Sequence, residues 1–459
     1  MRTENLIRLI AIGLALISVV SPAQCLLSSP AEYGISSEQL TNGLEVIVIE
    51  NHQVPLVTIV MAVKNGACVE TPEYDGLSHL YEHMFFKANE AIPNQEAYLE
   101  RTRELGMVWN GFTSQEAVVY FFTMYKDDMR EGMIFMRNAI ETPLFDEAEL
   151  ERERQVVLAE YDRADADPFH HLMREVDKEL WYAYPWRKDV LGNRTIIATA
   201  TQEKLRTIQQ SYYIPNNCAL IVAGDVEPAK VFDMAEGVFS EWQKREDPSI
   251  KYPIPIHPPL GESRSVVVTR PVNAITLMVE WQGPSVFKNP QDTYAADVFS
   301  LLLDNPSSKF QKNLVDSGLF TSCSLRYTTL NNTGPIMIVA QTDVEHFAEA
   351  KEALIDEIKK FDQPNYFTAE ELANAKNQLV TSRVYETERA SDFAITLTWW
   401  WCAAGLNYYL GYNDNVSEVD RAAINRYVDT YILDKPFAMG TLLSEGDQQI
   451  LGLEGGVIA

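Results

Sequence analysis

The chain has 459 residues, of which 46% are hydrophobic, so it can build two or three hydrophobic cores rather than one. Its 65 acidic residues outnumber its 38 basic residues and give a formal net charge of −27 at pH 7. This charge would repel the phosphates of nucleic acids and the headgroups of anionic lipids, which argues against nucleic-acid binding.

The first 23 residues are predicted to be a signal peptide. Arg2 and Arg8 precede LIAIGLALISVV, an apolar run that is too short for a comfortable membrane span but typical of a signal peptide. The small residues Ser21 and Ala23 then predict cleavage directly after Ala23. We therefore expect an exported protein, in a bacterium a periplasmic one.

The cysteines predict neither an anchor nor a disulfide framework. Cys25 raises the alternative of a lipid anchor, but Pro22 stands where an acylation signal usually carries leucine, which argues against membrane anchoring through Cys25. The other four cysteines are far apart, form no CxxC pair and are predicted to be mostly buried free thiols: Cys68, Cys218, Cys323 and Cys402.

The first half of the chain mixes strand and helix patterns. The β-branched runs NGLEVIVIEN and PLVTIVMAVKNGA are typical of two neighbouring strands, and residues 76–87 then take helical spacing. After a strand-like AVVYFFTMY, a long charged helix is predicted to begin at Asp146, with Glu149 three residues later as in a capping box. A buried strand and a further helix end this half.

A proline-rich stretch separates this half from a second one. The prolines of KYPIPIHPPLGES disfavour regular structure and predict an extended linker over residues 247–263. Strand and helix patterns then begin again at a distance of about 220 residues. We therefore expect an α+β fold of two similar domains, residues 34–246 and 264–459, each a mostly antiparallel sheet packed with helices.

The stretch DGLSHLYEHMFFK holds two of the seven histidines, His79 and His83, with Glu82 beside the second. One helical turn apart, both imidazoles would project from the same face and could converge on one zinc ion at Zn–N distances of about 2 Å. Glu82 is offset by about 100° from His83 and could reach a water on the metal without being a ligand. The alternative is a pair of solvated or structural histidines, but the combined pattern favours a metal site.

A hydrolytic zinc site usually has a third protein ligand. The segment ELERERQVVLAEYDR offers Glu153 and Glu160, which lie seven residues apart and so share one helix face. The alternative is a charged helix that faces solvent. The apolar VVLA between the two carboxylates instead indicates a partly buried face.

These residues resemble the pitrilysin and insulinase peptidases, the inverted zincins, a family that includes insulin-degrading enzyme and the mitochondrial processing peptidase. The family's His-x-x-Glu-His motif stands here as His79 to His83, and its distal glutamate matches Glu160. The resemblance implies that His79, His83 and Glu160 bind one zinc ion per chain. It also implies that Glu82 is the catalytic base and that Glu153 is an accessory catalytic carboxylate.

The resemblance extends to the substrate. GMVWNGFTSQEAVVYF resembles the family's G-x-x-x-N-x-x-T strand entry, which implies that Asn110 holds a backbone carbonyl of the peptide. Family members bind a peptide as an added strand at a sheet edge, and TIVMAVKNGA is the segment that resembles that edge. The implied activity is a zinc endopeptidase for oligopeptides or unfolded segments, in which zinc polarises a water and Glu82 accepts its proton.

One segment departs from the family. Many relatives carry an LREKRGLAY-like segment whose Arg and Tyr contact the substrate, whereas FQKNLVDSGLFTSCS places Leu314 and Thr321 at these positions. Arg326 and Tyr327 follow, but adjacent residues on a strand point to opposite faces. Because members of this length commonly work in pairs, the resemblance implies a partner, either a paralogous second subunit or a second copy in a homodimer.

An alternative of a different class is a non-catalytic scaffold or assembly subunit with the same fold. Scaffold relatives typically lose the zinc motif, whereas it is intact in this chain. The sequence therefore favours an exported zinc metallopeptidase subunit over a scaffold.

Overall fold

The computed structural model of the protein describes residues 34–183 and 189–454, and the backbone alone of residues 456–458. The predicted signal peptide and Cys25 lie outside these residues, so cleavage, export and the absence of a lipid anchor stay predictions. Among the described residues, none of the helices combines the length and the apolar character that crossing a bilayer requires.

Twelve strands form two six-stranded sheets in the described part of the chain. The strands of the first sheet are β1 (Ile35–Gln39), β2 (Glu45–Glu50), β3 (Leu56–Val63), β4 (Val108–Thr113), β5 (Val118–Tyr125) and β6 (Cys218–Gly224). The strands of the second sheet are β7 (Arg264–Thr269), β8 (Ile275–Gln282), β9 (Ser322–Tyr327), β10 (Pro335–Thr342), β11 (Ala438–Leu443) and β12 (Gly456–Ile458).

The two sheets share the arrangement of five strands and differ in the outer strand, because β1 precedes β2 in the chain whereas β12 follows β11. Their strand orders are β1-β2-β6-β3-β5-β4 and β12-β7-β11-β8-β10-β9. Each contains one parallel pair, β2 with β6 and β7 with β11, and is otherwise antiparallel. Strands β7, β8 and β11 begin 219 or 220 residues after β2, β3 and β6. The predicted α+β fold of two similar, mostly antiparallel halves is confirmed.

Strand neighbours differ from the sequence-based prediction in one place. The strands β2 and β3 are not adjacent, because β6 lies between them, parallel to β2 and antiparallel to β3. The segment TIVMAVKNGA therefore contributes an interior strand, and its identification as an exposed edge was wrong. Its continuous burial from Val57 to Val63 is typical of a strand covered on both faces. The edge strand is β4, which pairs with β5 alone in this sheet.

Helices cover both sheets. The first half contains α1 (Leu77–Phe85), α2 (Gln95–Glu104), α3 (Met129–Glu141), α4 (Glu147–Asp165), α5 (Pro168–Leu180), α6 (Arg194–Ala198), α7 (Gln202–Tyr212), α8 (Pro228–Phe239) and α9 (Pro248–Lys251). The second half contains α10 (Pro290–Asp304), α11 (Lys309–Leu314), α12 (Phe347–Ile358), α13 (Ala369–Glu386), α14 (Ala390–Ala403), α15 (Leu406–Leu410), α16 (Tyr412–Ser417), α17 (Arg421–Tyr431) and α18 (Glu445–Leu451).

The expectations about the start of α4 and about the four distant cysteines are confirmed. Asp146 caps α4, because its carboxylate accepts a hydrogen bond from the backbone N–H of Glu149 at 3.0 Å. The linker carries only the single turn α9 before residues 253–260, which have no regular secondary structure. The bounds of the two domains stay a prediction. The four cysteines at 68, 218, 323 and 402 are buried free thiols, as expected.

The two halves exchange helices. Helix α5 of the first half packs on β7, β8 and β11 of the second sheet, whereas α14 of the second half packs on β3 and β6 of the first. Trp401 of α14 also donates a hydrogen bond from Nε1 to Glu45 Oε2 at 2.8 Å. The outer face of each sheet is therefore buried by the other half, which couples the halves through two hydrophobic cores.

The buried contact of α5 with the second sheet contains a carboxyl group, Glu280 of β8. Burial raises the pKa of Glu280 well above its ordinary value of 4.5, and the negative charge of Asp177 on α5 adds to the increase. A hydrogen bond from the Trp181 side chain opposes it only in part. The folded protein therefore favours the neutral form of Glu280.

We expect the substitution Glu280→Gln to stabilise the protein at pH 8 by about 1 kcal/mol or more. Because the pKa of Glu280 is raised on folding, its burial carries no ionisation penalty below its unfolded pKa of about 4.5 and becomes costly as pH rises above that value. Thermal unfolding between pH 4.5 and pH 8 should therefore show a gain that grows with pH. As a control, Glu357→Gln should destabilise, since Glu357 is equally buried but accepts hydrogen bonds from Asn313 and Tyr366. A gain that does not depend on pH would contradict this account.

Candidate metal centre

Helix α1 carries its two histidines on a partly buried face, away from the apolar residues that pack in the core. Leu80, Tyr81 and Met84 are fully buried in the first core, which directs His79 and His83 toward α4. The helix begins without a capping side chain at Gly76, whose φ of 91° suits glycine. Instead, the Glu70 carboxylate accepts hydrogen bonds from the N–H groups of Gly76 at 2.8 Å and Ser78 at 2.7 Å. A negative charge at a helix N-terminus is favourable, so Glu70 fixes the start of α1.

Three potential ligand atoms converge between α1 and α4. His79 Nε2 lies 3.3 Å from His83 Nε2, and Glu160 Oε2 lies 3.6 Å from each of them. Ligands of a tetrahedral zinc ion at about 2.0–2.1 Å are separated from one another by about 3.3–3.4 Å. The three atoms therefore fit a zinc ion. Within the described residues, this is also the one group of three or more His, Cys, Asp or Glu residues that could hold a metal ion.

The two histidines differ in their surroundings. Burial, together with the smaller effect of the neighbouring His83, lowers the pKa of His79 to about 4, so His79 is in the neutral form that binds metals. Burial also acts to lower the pKa of His83, but its hydrogen bond with Glu153 and the charges of Glu160 and Glu82 outweigh burial and raise it. The site thus carries an excess of negative charge that a cation would neutralise.

Glu153 contacts Nδ1 of the His83 imidazole, whereas Nε2 of the same ring faces His79 and Glu160. Its Oε2 is 3.1 Å from His83 Nδ1, and its Oε1 is 2.6 Å from the ammonium of Lys87. Burial acts to raise the pKa of Glu153, but His83 and Lys87 outweigh burial and lower it. Such a carboxylate typically orients a metal-bound histidine. In this geometry Glu153 contacts His83 and none of the three convergent atoms, and its predicted role as an accessory catalytic carboxylate stays a prediction.

Glu82 lies beside the convergent atoms and is held by β4. Its Oε2 accepts a hydrogen bond from Thr113 Oγ1 at 2.8 Å. Burial raises the pKa of Glu82, and the Thr113 hydrogen bond and His83 offset the increase in part. A side chain at Gly111 would come within 3.1 Å of Glu82 Oε1 and of the Phe86 ring, so glycine allows the edge strand to approach this closely.

Asn110 lies on the edge strand β4, next to Gly111. Its side chain is exposed, and its Oδ1 accepts a hydrogen bond from the Gly111 N–H at 2.9 Å. The edge of the sheet therefore runs past Glu82 and carries Asn110, which is the arrangement that strand addition of a peptide requires.

In the described part of the second half, the two positions that match the family's Arg and Tyr carry other side chains. Leu314 is buried at the end of α11, and exposed Thr321 donates its hydroxyl to Gln341 O at 3.2 Å. Arg326 is exposed on β9, but the Tyr327 hydroxyl donates to Pro284 O at 3.1 Å. Arg326 and Tyr327 line a cavity of about 500 Å³ within the second half, next to Asp297 and Arg383.

The sequence-based analysis missed two residues of the site. Lys87 follows the end of α1, four residues after His83, and Thr113 follows Asn110 by three residues. The spacing of Lys87 from His83 is one helical turn, and Thr113 is the threonine of the G-x-x-x-N-x-x-T pattern. Either signal could have been used, although the contacts with Glu153 and Glu82 depend on how α4 and β4 pack against α1.

Two family models match consecutive parts of the chain. Residues 45–194 match the domain described as insulinase, peptidase family M16, and residues 199–379 match the domain described as the peptidase M16 inactive domain. An uncharacterized zinc protease of Rickettsia felis is 24% identical over 355 residues, which cover 77% of this chain and 84% of that protein.

Solved structures share the fold. A protease from Helicobacter pylori superposes with a TM-score of 0.78 at 22% identity, covering 89% of this chain and 99% of that one. The periplasmic protease PqqL of Escherichia coli superposes with a TM-score of 0.73 at 18% identity. That match covers 92% of this chain but 49% of PqqL, so this chain corresponds in length to half of PqqL.

Proposed function

Because this chain belongs to the insulinase family of zinc peptidases, family M16, we propose that it is the metal-bearing subunit of an exported endopeptidase for oligopeptides or unfolded segments. The observation that carries the proposal is the convergence of His79, His83 and Glu160 at zinc-ligand spacing, with Glu82 beside them. A scaffold subunit would have no need to keep this set of side chains.

In the proposed reaction, bound zinc supplies a Lewis acid that polarises the scissile carbonyl and makes water acidic. Glu82 takes the proton of the attacking water at its carboxylate and returns it to the leaving amine. Thr113 holds Oε2 of Glu82, so the carboxylate has a fixed orientation while it moves the proton. The peptide lies along the edge of β4, where Asn110 keeps its backbone in register.

We further propose that a second subunit completes the active site. The support is that buried Leu314 and surface Thr321 stand where many relatives carry substrate-contacting Arg and Tyr. The match of this chain to half of PqqL agrees with an enzyme built from two such units. The partner is either a paralogous chain or a second copy of this one.

The test compares the purified chain alone with the chain co-expressed with a homologue that has the Arg and Tyr and lacks the zinc motif. Both preparations are loaded with zinc and assayed on internally quenched, unstructured peptides, and their masses in solution are measured by light scattering. We expect the pair to cleave at least about tenfold faster, because correctly placed substrate contacts lower the barrier. Equal rates from a monomeric chain alone would contradict the need for a partner. Stoichiometric zinc with no cleavage by either preparation would favour the scaffold.

A further inference from the structure

Lys87 makes a buried ion pair behind the candidate metal centre. Its Nζ lies 2.6 Å from Glu153 Oε1, and the side chains of Lys87 and Glu153 are only 11% and 9% exposed. The backbone N–H of Lys87 still bonds to Met84 O at the end of α1, so the ammonium is anchored to the helix that carries His83.

The two oxygens of Glu153 have separate partners. Oε1 accepts from Lys87, and Oε2 contacts Nδ1 of His83 at 3.1 Å. With one oxygen held by a charge-assisted hydrogen bond, the carboxylate has little freedom to rotate away from the imidazole. A carboxylate on Nδ1 keeps that nitrogen as the N–H donor and leaves Nε2 as the lone-pair donor that faces His79 and Glu160.

We propose that Lys87 is a positioning residue of the metal centre, which fixes Glu153 so that Glu153 orients His83 toward the ion. This inference rests on the proposed function, since it assumes that His83 binds the metal. It extends that function by one residue, which acts through two others and touches neither metal nor substrate.

Two other roles for Lys87 predict different results. If the ammonium acted only through its positive charge, its removal would strengthen the binding of a cation, because like charges repel. If the ion pair served only the fold, its removal would lower stability, since it leaves Glu153 buried and unpaired, but folded protein would bind zinc normally. Of the three roles, only the positioning role predicts that a folded variant without the ammonium group binds zinc more weakly and with altered coordination.

The test measures zinc affinity by chelator competition and the visible absorption spectrum of the cobalt-substituted protein. We expect Lys87→Met to weaken zinc binding by about 10–100-fold and to change the cobalt spectrum, and Lys87→Arg to restore most of both. Glu153→Gln should weaken binding by a similar factor, and the double variant should be no weaker than either single variant. Lys360→Met is the matched control, because Lys360 pairs with the buried Glu357 far from the histidines in the sequence.

The outcomes separate this inference from the proposed function. Wild-type protein that binds no zinc would contradict the proposed function itself. Wild-type protein with stoichiometric zinc, together with normal or tighter binding by folded Lys87→Met, would overturn the role of Lys87. If Lys87→Met does not fold, the Glu153→Gln variant tests the proposal instead. An unchanged zinc affinity and an unchanged cobalt spectrum in Glu153→Gln would overturn the proposal, because Lys87 is proposed to act through Glu153.

Discussion

Replacing Glu82 with glutamine is expected to leave zinc binding intact and to lower kcat/KM by about 10²–10⁴-fold. Glutamine keeps the shape of the side chain and can still accept the hydrogen bond from Thr113, but it cannot take a proton from water. The measurements are zinc content by atomic absorption and the initial rate of peptide cleavage, with the complete enzyme in each case. The control is Glu104→Gln, which changes an exposed carboxylate paired with Arg101 and should alter neither quantity.

Each result for Glu82 has a definite meaning. Normal cleavage by Glu82→Gln would show that another group is the base. Loss of zinc together with activity would place Glu82 among the metal ligands, which the distances argue against, because the three mutually close atoms belong to His79, His83 and Glu160.

Replacing His83 with alanine is expected to abolish stoichiometric zinc and, with it, peptide cleavage. The substitution removes one of the three proposed protein ligands. Loss of a residue that only hydrogen-bonds to a ligand lowers metal affinity by about 10–100-fold, so zinc affinity should fall by more than that here. It also leaves Glu153 facing an empty position, although Lys87 still neutralises that carboxylate. Zinc content and thermal unfolding of the metal-free protein should be measured together, so that loss of metal is distinguished from loss of fold.

A matched histidine controls for this experiment. His346 is exposed and contacts Asp343 at 2.8 Å, and His346→Ala should keep both zinc and activity. Full zinc occupancy in His83→Ala would refute the metal centre described above. No zinc in either variant or in the wild type would favour the scaffold alternative.

Local signals in the sequence were sufficient for much of the fold and for the candidate ligands. The spacing of His79 and His83 places them on one helix face by backbone geometry alone, and Asp146 caps α4 as its type predicts. The halves and their repeat distance followed from turn residues and hydrophobic patterns. Such features depend on neighbours within a few residues, so an isolated segment contains the information they require.

The pairing of strands that are distant in the chain could not be predicted from such local signals. The insertion of β6 between β2 and β3 brings together strands more than 150 residues apart in the chain, and this pairing makes β3 an interior strand and leaves β4 as the edge beside Glu82. The exchange of α5 and α14 between the halves likewise depends on which buried faces meet. Hydrophobic patterns show that a surface is buried but not which surface covers it.

The sequence by itself therefore predicted that His79 and His83 share one helix face, because their spacing is a local property, whereas Glu160 was assigned as the third ligand through the resemblance to the family. Only the tertiary structure decided how the centre is held: Glu160 reaches His79, Lys87 reaches Glu153, and Thr113 reaches Glu82 across different elements. The physical reason is that a charge or hydrogen-bond donor acts over a few ångströms in space, whereas the sequence records only distance along the chain.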